Sequence, residues 1–179
     1  MILGLDISTS NVGFCILDTE GDLIDARAVS FSKNKTIFEK ALDVRAELQN
    51  LKANHGISKV LIEENLQAFR PGFSSAKTIV TLARFNGIVT FLCSEVFEIE
   101  PEFMNVNSAR KKVGLKIDRK SPSSTKDQVL GFVKKELPGF EWPERTLKSG
   151  SRKGLVIPAD CCYDIADAYI IAAAGLGHE

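Results

Sequence analysis

Long apolar runs are missing from these 179 residues. No stretch of about 18 uncharged apolar side chains occurs, so no membrane span is expected. The opening MILGLDISTS has no basic stretch ahead of an apolar one and carries an acid at Asp6, which is not the pattern of a secretory signal. No repeat of 20–50 residues and no low-complexity tract is visible, which argues against solenoids and disorder. Histidine is scarce, with His55 and His178 alone, and Cys15, Cys93, Cys161 and Cys162 include no CxxC pair. A structural zinc site is therefore not expected, and buried, reduced thiols are the simpler reading. Net charge is absent too, with 23 basic and 23 acidic residues. What remains is 44% apolar and 26% charged, the composition of an ordinary globular domain. A chain of this length buries roughly 70% of the surface it exposes when unfolded, so one domain over 1–179 is expected, without staples.

The zero net charge hides an uneven spread. Residues 1–104 carry 10 basic and 14 acidic side chains, and residues 105–179 carry 13 and 9. Within the second part, 105–126 holds Arg110, Lys111, Lys112, Lys116, Arg119, Lys120 and Lys126 against Asp118 alone. Residues 145–153 add Arg145, Lys148, Arg152 and Lys153 with no acid. Local basic patches on a neutral protein suit a polyanion partner, although a solvated lysine-rich face gives the same pattern.

Residues 2–7 (ILGLDI) read as a buried strand ending in an acid. Two more strands, 12–18 and 23–31, follow across the short loop 8–11 and the turn Glu20-Gly21-Asp22, making an antiparallel meander. Thr36 with Glu39 signals a capping box. Ile37, Ala41, Val44, Leu48 and Leu51 then form one helical stripe, and Gly56 ends it. Lys59–Glu63 (KVLIE) is a further strand, expected to run parallel after its crossover helix. A loop at Arg70-Pro71-Gly72 precedes a helix over 75–94, then a strand over 96–100 (VFEIE) closed by Pro101. A short basic helix over 107–113, a helix from Pro122 to Glu136, a long loop over 138–158 with Val156 and Ile157 locally extended, and a last helix over about 159–175 complete the chain. The fold class is mixed α/β.

Chemistry gathers on the acids. Asp6 and Glu63 each end a strand, and neighbouring strands would bring both carboxylates out at one sheet edge. Asp160, Asp164 and Asp167 stand at i, i+4 and i+7, within about 60° of one another on the last helix. Three acids along one stripe repel unless a cation sits there. Asp160 has a second explanation, since an acid in the first turn is favoured by the helix dipole. Glu64 points to the face opposite Glu63. Converging carboxylates without histidine suit oxygen-liganded Mg²⁺ or Mn²⁺. Two such ions about 4 Å apart can activate water and stabilise the leaving oxygen in phosphodiester cleavage.

These stretches resemble the RuvC-like Holliday-junction resolvases of the ribonuclease H-like superfamily. ILGLDISTSNVGFCIL looks like that family's first strand with its metal-binding aspartate, LIEEN like its second motif, and DIADAYIIAAAG like its C-terminal helix with paired acids. LARFNGIV resembles the family's long helix, and SARKKVGL with Ser124–Lys126 its basic segment. The resemblance implies a ribonuclease H-like mixed sheet, a three-stranded meander plus parallel strands, flanked by helices. It implies a Mg²⁺-dependent endodeoxyribonuclease with two ions per site, replaceable by Mn²⁺. Such an enzyme is a homodimer that resolves four-way DNA junctions by paired symmetric nicks in recombination and repair. Asp6 would bridge the ions, Glu63 and Asp167 would complete one side each, and Asp164 would support the other flank.

Arg110, Lys111, Lys112, Lys116, Arg119, Lys120, Lys126, Arg152 and Lys153 would bind DNA, with the phosphate-assisting base among Lys116, Arg119, Lys120 and Lys126. The long helix 75–94 is a candidate dimer interface. No membrane partner is implied. The setting is cytoplasmic, or the host cytoplasm for the viral or phage relative that the divergence suggests. Two departures stand out: bacterial members carry an aromatic shortly after the glutamate where this chain has Leu66, followed by Phe69, and the 138–158 loop is longer. A nuclease of the same fold acting on flaps, other branched DNA or RNA–DNA hybrids is the alternative. An actin-like kinase fragment, suggested by GLDISTSNVG, is disfavoured because such kinases need two domains of this kind.

Overall fold

The computed structural model describes residues 1–64 and 76–176. The expected loop at Arg70-Pro71-Gly72, and Leu66 and Phe69 with it, fall outside the described residues. A five-stranded sheet is made by β1 (Ile2–Ile7), β2 (Asn11–Leu17), β3 (Leu23–Ser30), β4 (Lys59–Glu63) and β5 (Glu102–Met104) in the order β3-β2-β1-β4-β5. The first three strands are the expected antiparallel meander, β4 runs parallel to β1, and β5 runs parallel to β4. Asp6 therefore sits one strand away from Glu63, near the carboxyl ends of two adjacent parallel strands.

Strand alternation gives the sheet two unlike faces. Leu3, Leu5, Ile7, Val12, Phe14, Ile16, Val60 and Ile62 all point to one side, into a core shared with α1 (Ile37–Asn54) and α2 (Ala76–Phe97). Each such fully buried side chain contributes about 1.5–3 kcal/mol over its exposed state. The capping box forms as expected: Thr36 Oγ1 accepts from the Glu39 amide at 3.2 Å, and the Thr36 amide donates to Glu39 at 2.7 Å. Ala41, Val44, Leu48 and Leu51 of α1 are buried as the stripe requires.

The other face carries Gly4, Asp6, Gly13 and Cys15 beside the larger Leu17 and Leu61. There α5 (Cys161–Ala174) lies directly on the sheet. A Cβ at Gly13 would overlap the Asp164 carbonyl, and one at Gly4 would overlap the Ala168 carbonyl. The absence of side chains at these two positions is what lets the helix descend far enough to bring its acids to Asp6. Helices α3 (Val106–Lys112) and α4 (Thr125–Glu136) flank α5.

Several expected boundaries differ. The helix expected over 75–94 runs on to Phe97, so Val96 and Phe97 are helical rather than the start of a strand over 96–100. Their apparent alternation in VFEIE is the end of a helical stripe, Phe85, Val89, Leu92, Cys93, Val96 and Phe97, buried against α1. Glu98 breaks the helix with a φ of 59°, and the strand follows Pro101 instead of preceding it. Ser124 caps α4, so Pro122 lies outside the first turn. The expected loop over 138–158 contains a hairpin, β6 (Glu144–Thr146) against β7 (Val156–Pro158). Helix α2 is long and apolar enough to cross a membrane by length and composition, with a mean hydropathy of 1.4 over its best 18-residue window. Its buried stripe nevertheless belongs to the α1 core.

Candidate active site

Three elements bring carboxylates around Asp6. Asp6 comes from β1, Glu63 from the end of β4, and Asp164 and Asp167 from α5. The two helix acids are each only 9% exposed. Burial raises the proton affinity of Asp6 well above the usual carboxylate range, and the charges of Glu63, Asp167 and Asp164 raise it further. Glu63 is pushed up to about 7, first by burial and then by Asp167. Burial also raises Asp164 and Asp167, although each has compensating partners. Asp6 therefore lies within the field of the other three acids, and Glu63 within that of Asp167.

Two cations lean in. Arg110 of α3 donates to Asp167 at 3.1 Å, and its Nε is buried without a hydrogen-bond partner. Lys126, in the first turn of α4, pulls the proton affinities of all four acids down. It also lies 5.8 Å from the centre of the Tyr163 ring. Of the four lysines and arginines expected to assist phosphate binding, Lys126 alone acts on the whole acidic set. Arg110, expected only as a DNA contact, is the cation in direct contact with an acid.

Asp164 is further held by neutral groups. Asn11 Nδ2 donates to Asp164 at 3.0 Å, while Ser30 Oγ donates to Asn11 Oδ1 at 2.7 Å. The Ser8 side chain also bonds Asp164 and favours its ionised form. Asn11, Ser8 and Ser30 were not anticipated from sequence. Their only signal was polarity in the loop directly after the Asp6 strand and at the end of β3.

Asp160 is not part of the pocket. It is exposed, makes no side-chain cap, and pairs with Arg145 at 2.9 Å. Residues i, i+4 and i+7 share a stripe, but Asp160 is the N-cap ahead of α5, whereas Asp164 and Asp167 lie within the helix and are buried. The basic residues divide as well. Arg110, Lys111 and Lys116 line a small cavity of about 210 Å³ with Gly114 and Ile117. Lys112 turns away into a different cavity, beside Lys59, Glu102 and Glu136 at the C-terminal end of α5. Arg119, Lys120, Arg152 and Lys153 are exposed and make no ion pair among the described residues.

The donor set fits hard divalent cations, being carboxylate throughout. Among the described residues no three ligating side chains close on one point as a ready-made cage. Within the set, Asp167 is held by Arg110 and Asp164 by Asn11.

No family model matches the chain. Among curated proteins it is 30% identical over 139 residues to the crossover junction endodeoxyribonuclease RuvC of Aliarcobacter butzleri, covering 76% of this chain and 82% of that protein. It is 25% identical to the protein of the same name from a Sulfurovum species, covering 76% and 80%. Among solved structures, it matches T. thermophilus RuvC in complex with a Holliday junction substrate at a TM-score of 0.64 and 15% identity, covering 97% of this chain and 90% of the other. These relatives are bacterial, and none of them speaks for the expected viral or phage origin.

Proposed function

The chain belongs to the family of the crossover junction endodeoxyribonuclease RuvC, and from that premise we propose that it resolves four-way DNA junctions at the pocket of Asp6, Glu63, Asp164 and Asp167. It is a metal-dependent endonuclease of recombination and repair, and residues 1–179 act as one nuclease domain. The observation that supports the assignment is the gathering of Glu63, Asp164 and Asp167, from two further elements, around the buried Asp6.

These four side chains would hold two Mg²⁺ ions, with Mn²⁺ able to substitute. When bound, the ions supply Lewis-acid activation of the attacking water and neutralise charge at the leaving 3′ oxygen. The remaining work falls to the protein. Asp6, most strongly surrounded by other acids, sits between the other ligands. Asn11 and Ser8 keep Asp164 aimed and ionised. Arg110 and Lys126 balance the acids before substrate arrives. The exposed Lys111, Lys116, Arg119 and Lys120 hold the DNA backbone, which makes binding fall with salt.

A four-way junction offers two equivalent scissile phosphates, so paired nicks call for two sites related by a two-fold axis. Phe38 and Leu42 of α1 and Phe91 of α2 are exposed at 69%, 65% and 67%, on the side of the sheet away from the acids. An apolar face of this kind supports a homodimer through α1 and α2. Four free thiols and a DNA substrate agree with a cytoplasmic setting.

The test is Mg²⁺-dependent cleavage of a synthetic four-way junction beside duplex, flap and RNA–DNA hybrid. Symmetric nicks in the junction alone are expected. Asp6→Asn binds the junction yet loses at least ~10³-fold in cutting. Retained cutting by that variant, or equal cutting of every substrate, overturns the reading.

A further inference from the structure

The β6–β7 hairpin stands apart from the main sheet, and the catalytic pocket does not use it. Its three ladder pairs, Glu144 with Pro158, Arg145 with Ile157 and Thr146 with Val156, are extended by a Leu147 amide bond to Leu155 at 3.0 Å. The Gly154 amide returns to the Leu147 carbonyl at 2.9 Å. Gly150 and Gly154 take the left-handed backbone this turn needs, with φ of 80° and 90°. The tip is thus a formed turn rather than a loose loop.

The stem is fastened to the helix that carries two of the acids. The Ala159 amide donates to the Pro143 carbonyl at 2.9 Å, Cys162 Sγ donates to the same carbonyl, and Arg145 pairs with Asp160. On the other side Trp142 stacks edge-on with Phe140 and takes Lys134 over its ring. Asp160 lies one helical turn before Asp164, roughly 6 Å along the axis. The base of the hairpin is therefore set beside the pocket.

The tip has two chemistries side by side. Lys148, Arg152 and Lys153 are exposed and make no ion pair among the described residues, and no acid lies between Thr146 and Val156. Leu155 and Val156 stand next to them at 49% and 51% exposure. A second copy of the same cationic tip would be repelled, so self-association is a poor cover for these apolar side chains. A polyanion with exposed apolar surface fits both halves. Linear duplex offers phosphates but hides its base faces in the stack. A branch point offers phosphates and unstacked bases together, and aliphatic side chains are suited to lie against such bases.

We propose that the β6–β7 hairpin is a second DNA-binding element, in which Lys148, Arg152 and Lys153 grip the backbone of one junction arm and Leu155 with Val156 rests on bases at the branch point. The hairpin thereby favours branched over linear DNA. This inference rests on the junction-resolving reading above.

The experiment measures binding to a four-way junction and to linear duplex across a salt series, without divalent ion, with the full chain. Replacing Lys148, Arg152 and Lys153 together by alanine lowers the steepness of the logarithmic salt dependence by about 2–3 for the junction. Leu155→Ser weakens junction binding about tenfold and leaves duplex binding unchanged. An unaltered salt dependence in the triple variant overturns the proposal. So does an equal loss on both DNAs for Leu155→Ser, or a change in that variant's oligomeric state with junction affinity intact. If the wild-type chain itself shows no preference for the junction, the junction-resolving reading fails first, a result distinct from these.

Discussion

One face of the central sheet offers Leu3, Leu5, Ile7, Val12, Phe14 and Ile16 to α1 and α2; the other offers Gly4, Asp6, Gly13 and Cys15 to α5. The first face is filled by large side chains and holds its helices off at ordinary packing distance. The second carries Leu17 and Leu61 but no side chain at Gly4 and Gly13, and over these two the helix backbone rests almost on the strands. Bulk on one side provides cohesion and leaves an apolar outer surface at Phe38, Leu42 and Phe91. Thinness on the other side brings Asp164 and Asp167 to Asp6. The same alternating strands therefore separate stability from chemistry.

That contrast breaks most sharply at Gly13. Gly13→Ala drives a methyl into the Asp164 carbonyl, and relieving it shifts α5 at a cost of about 3 kcal/mol. Both the melting temperature and the cutting rate fall. Gly87→Ala, in α2 with nothing within 4 Å of the added carbon, costs nothing or gains up to about 1 kcal/mol. Equal behaviour of the two alanines in thermal melts would contradict the contrast.

Phe91→Asp tests the outer surface of the thick face. Its monomer stability should stay within about 0.5 kcal/mol of wild type. Self-association should weaken by about 2 kcal/mol or more. Sedimentation equilibrium reads this directly, and nicking at the two symmetric positions should become uncoupled. An undiminished dimer would place the interface elsewhere.

Asn11→Leu removes the amide that positions Asp164 without touching its carboxylate. Cutting should fall 10- to 100-fold, with a higher Mg²⁺ concentration at half-maximal rate. Direct Mn²⁺ titration should show the same loss of affinity, and Asn11→Gln should restore part of it. Loss of cutting with unchanged metal affinity would refute the positioning role.

The smallest effect is on pH dependence. Glu63 holds its proton up to about pH 7, against an ordinary value of 4.5. A carboxyl whose proton affinity is raised by folding adds stability that is complete below about 4.5 and is lost as pH climbs through 7. Asp6, raised in the same direction, reinforces it. Metal-free protein should therefore melt at lower temperature at pH 8 than at pH 6, and the rise in melting temperature on adding Mg²⁺ should be larger at pH 8. A Mg²⁺ effect that shrinks over that interval would mean that the ion does not seat among these acids.

The meander, the capping box at Thr36 and the buried stripe of α1 were legible in the linear sequence, because each depends on neighbours within a few residues. So were the places of Asp6 and Glu63 on their strands and of Asp164 and Asp167 on one helix, since strand ends and helical spacing are local properties. Spacing alone left Asp160 open between the acidic stripe and the helix dipole, and the structure pairs it with Arg145 at the exposed start of α5. Val96 and Phe97 misled: a helical stripe that ends on two adjacent apolar residues looks like the start of a strand until α1 is seen to cover it. Of the hairpin over 144–158 only the extended Val156 and Ile157 were legible, its strands being three residues each and fastened by contacts to Asp160 and Cys162.

By itself, then, the order of residues determined which side chains could carry charge to a sheet edge, through the periods of strand and helix. Only the tertiary structure decided which of them meet: Arg110 with Asp167, Asn11 with Asp164, and Lys126 with the whole acidic set. These partners are separated by tens of residues or more, and no local period encodes such pairings. The depth to which α5 sinks onto Gly4 and Gly13 sets them.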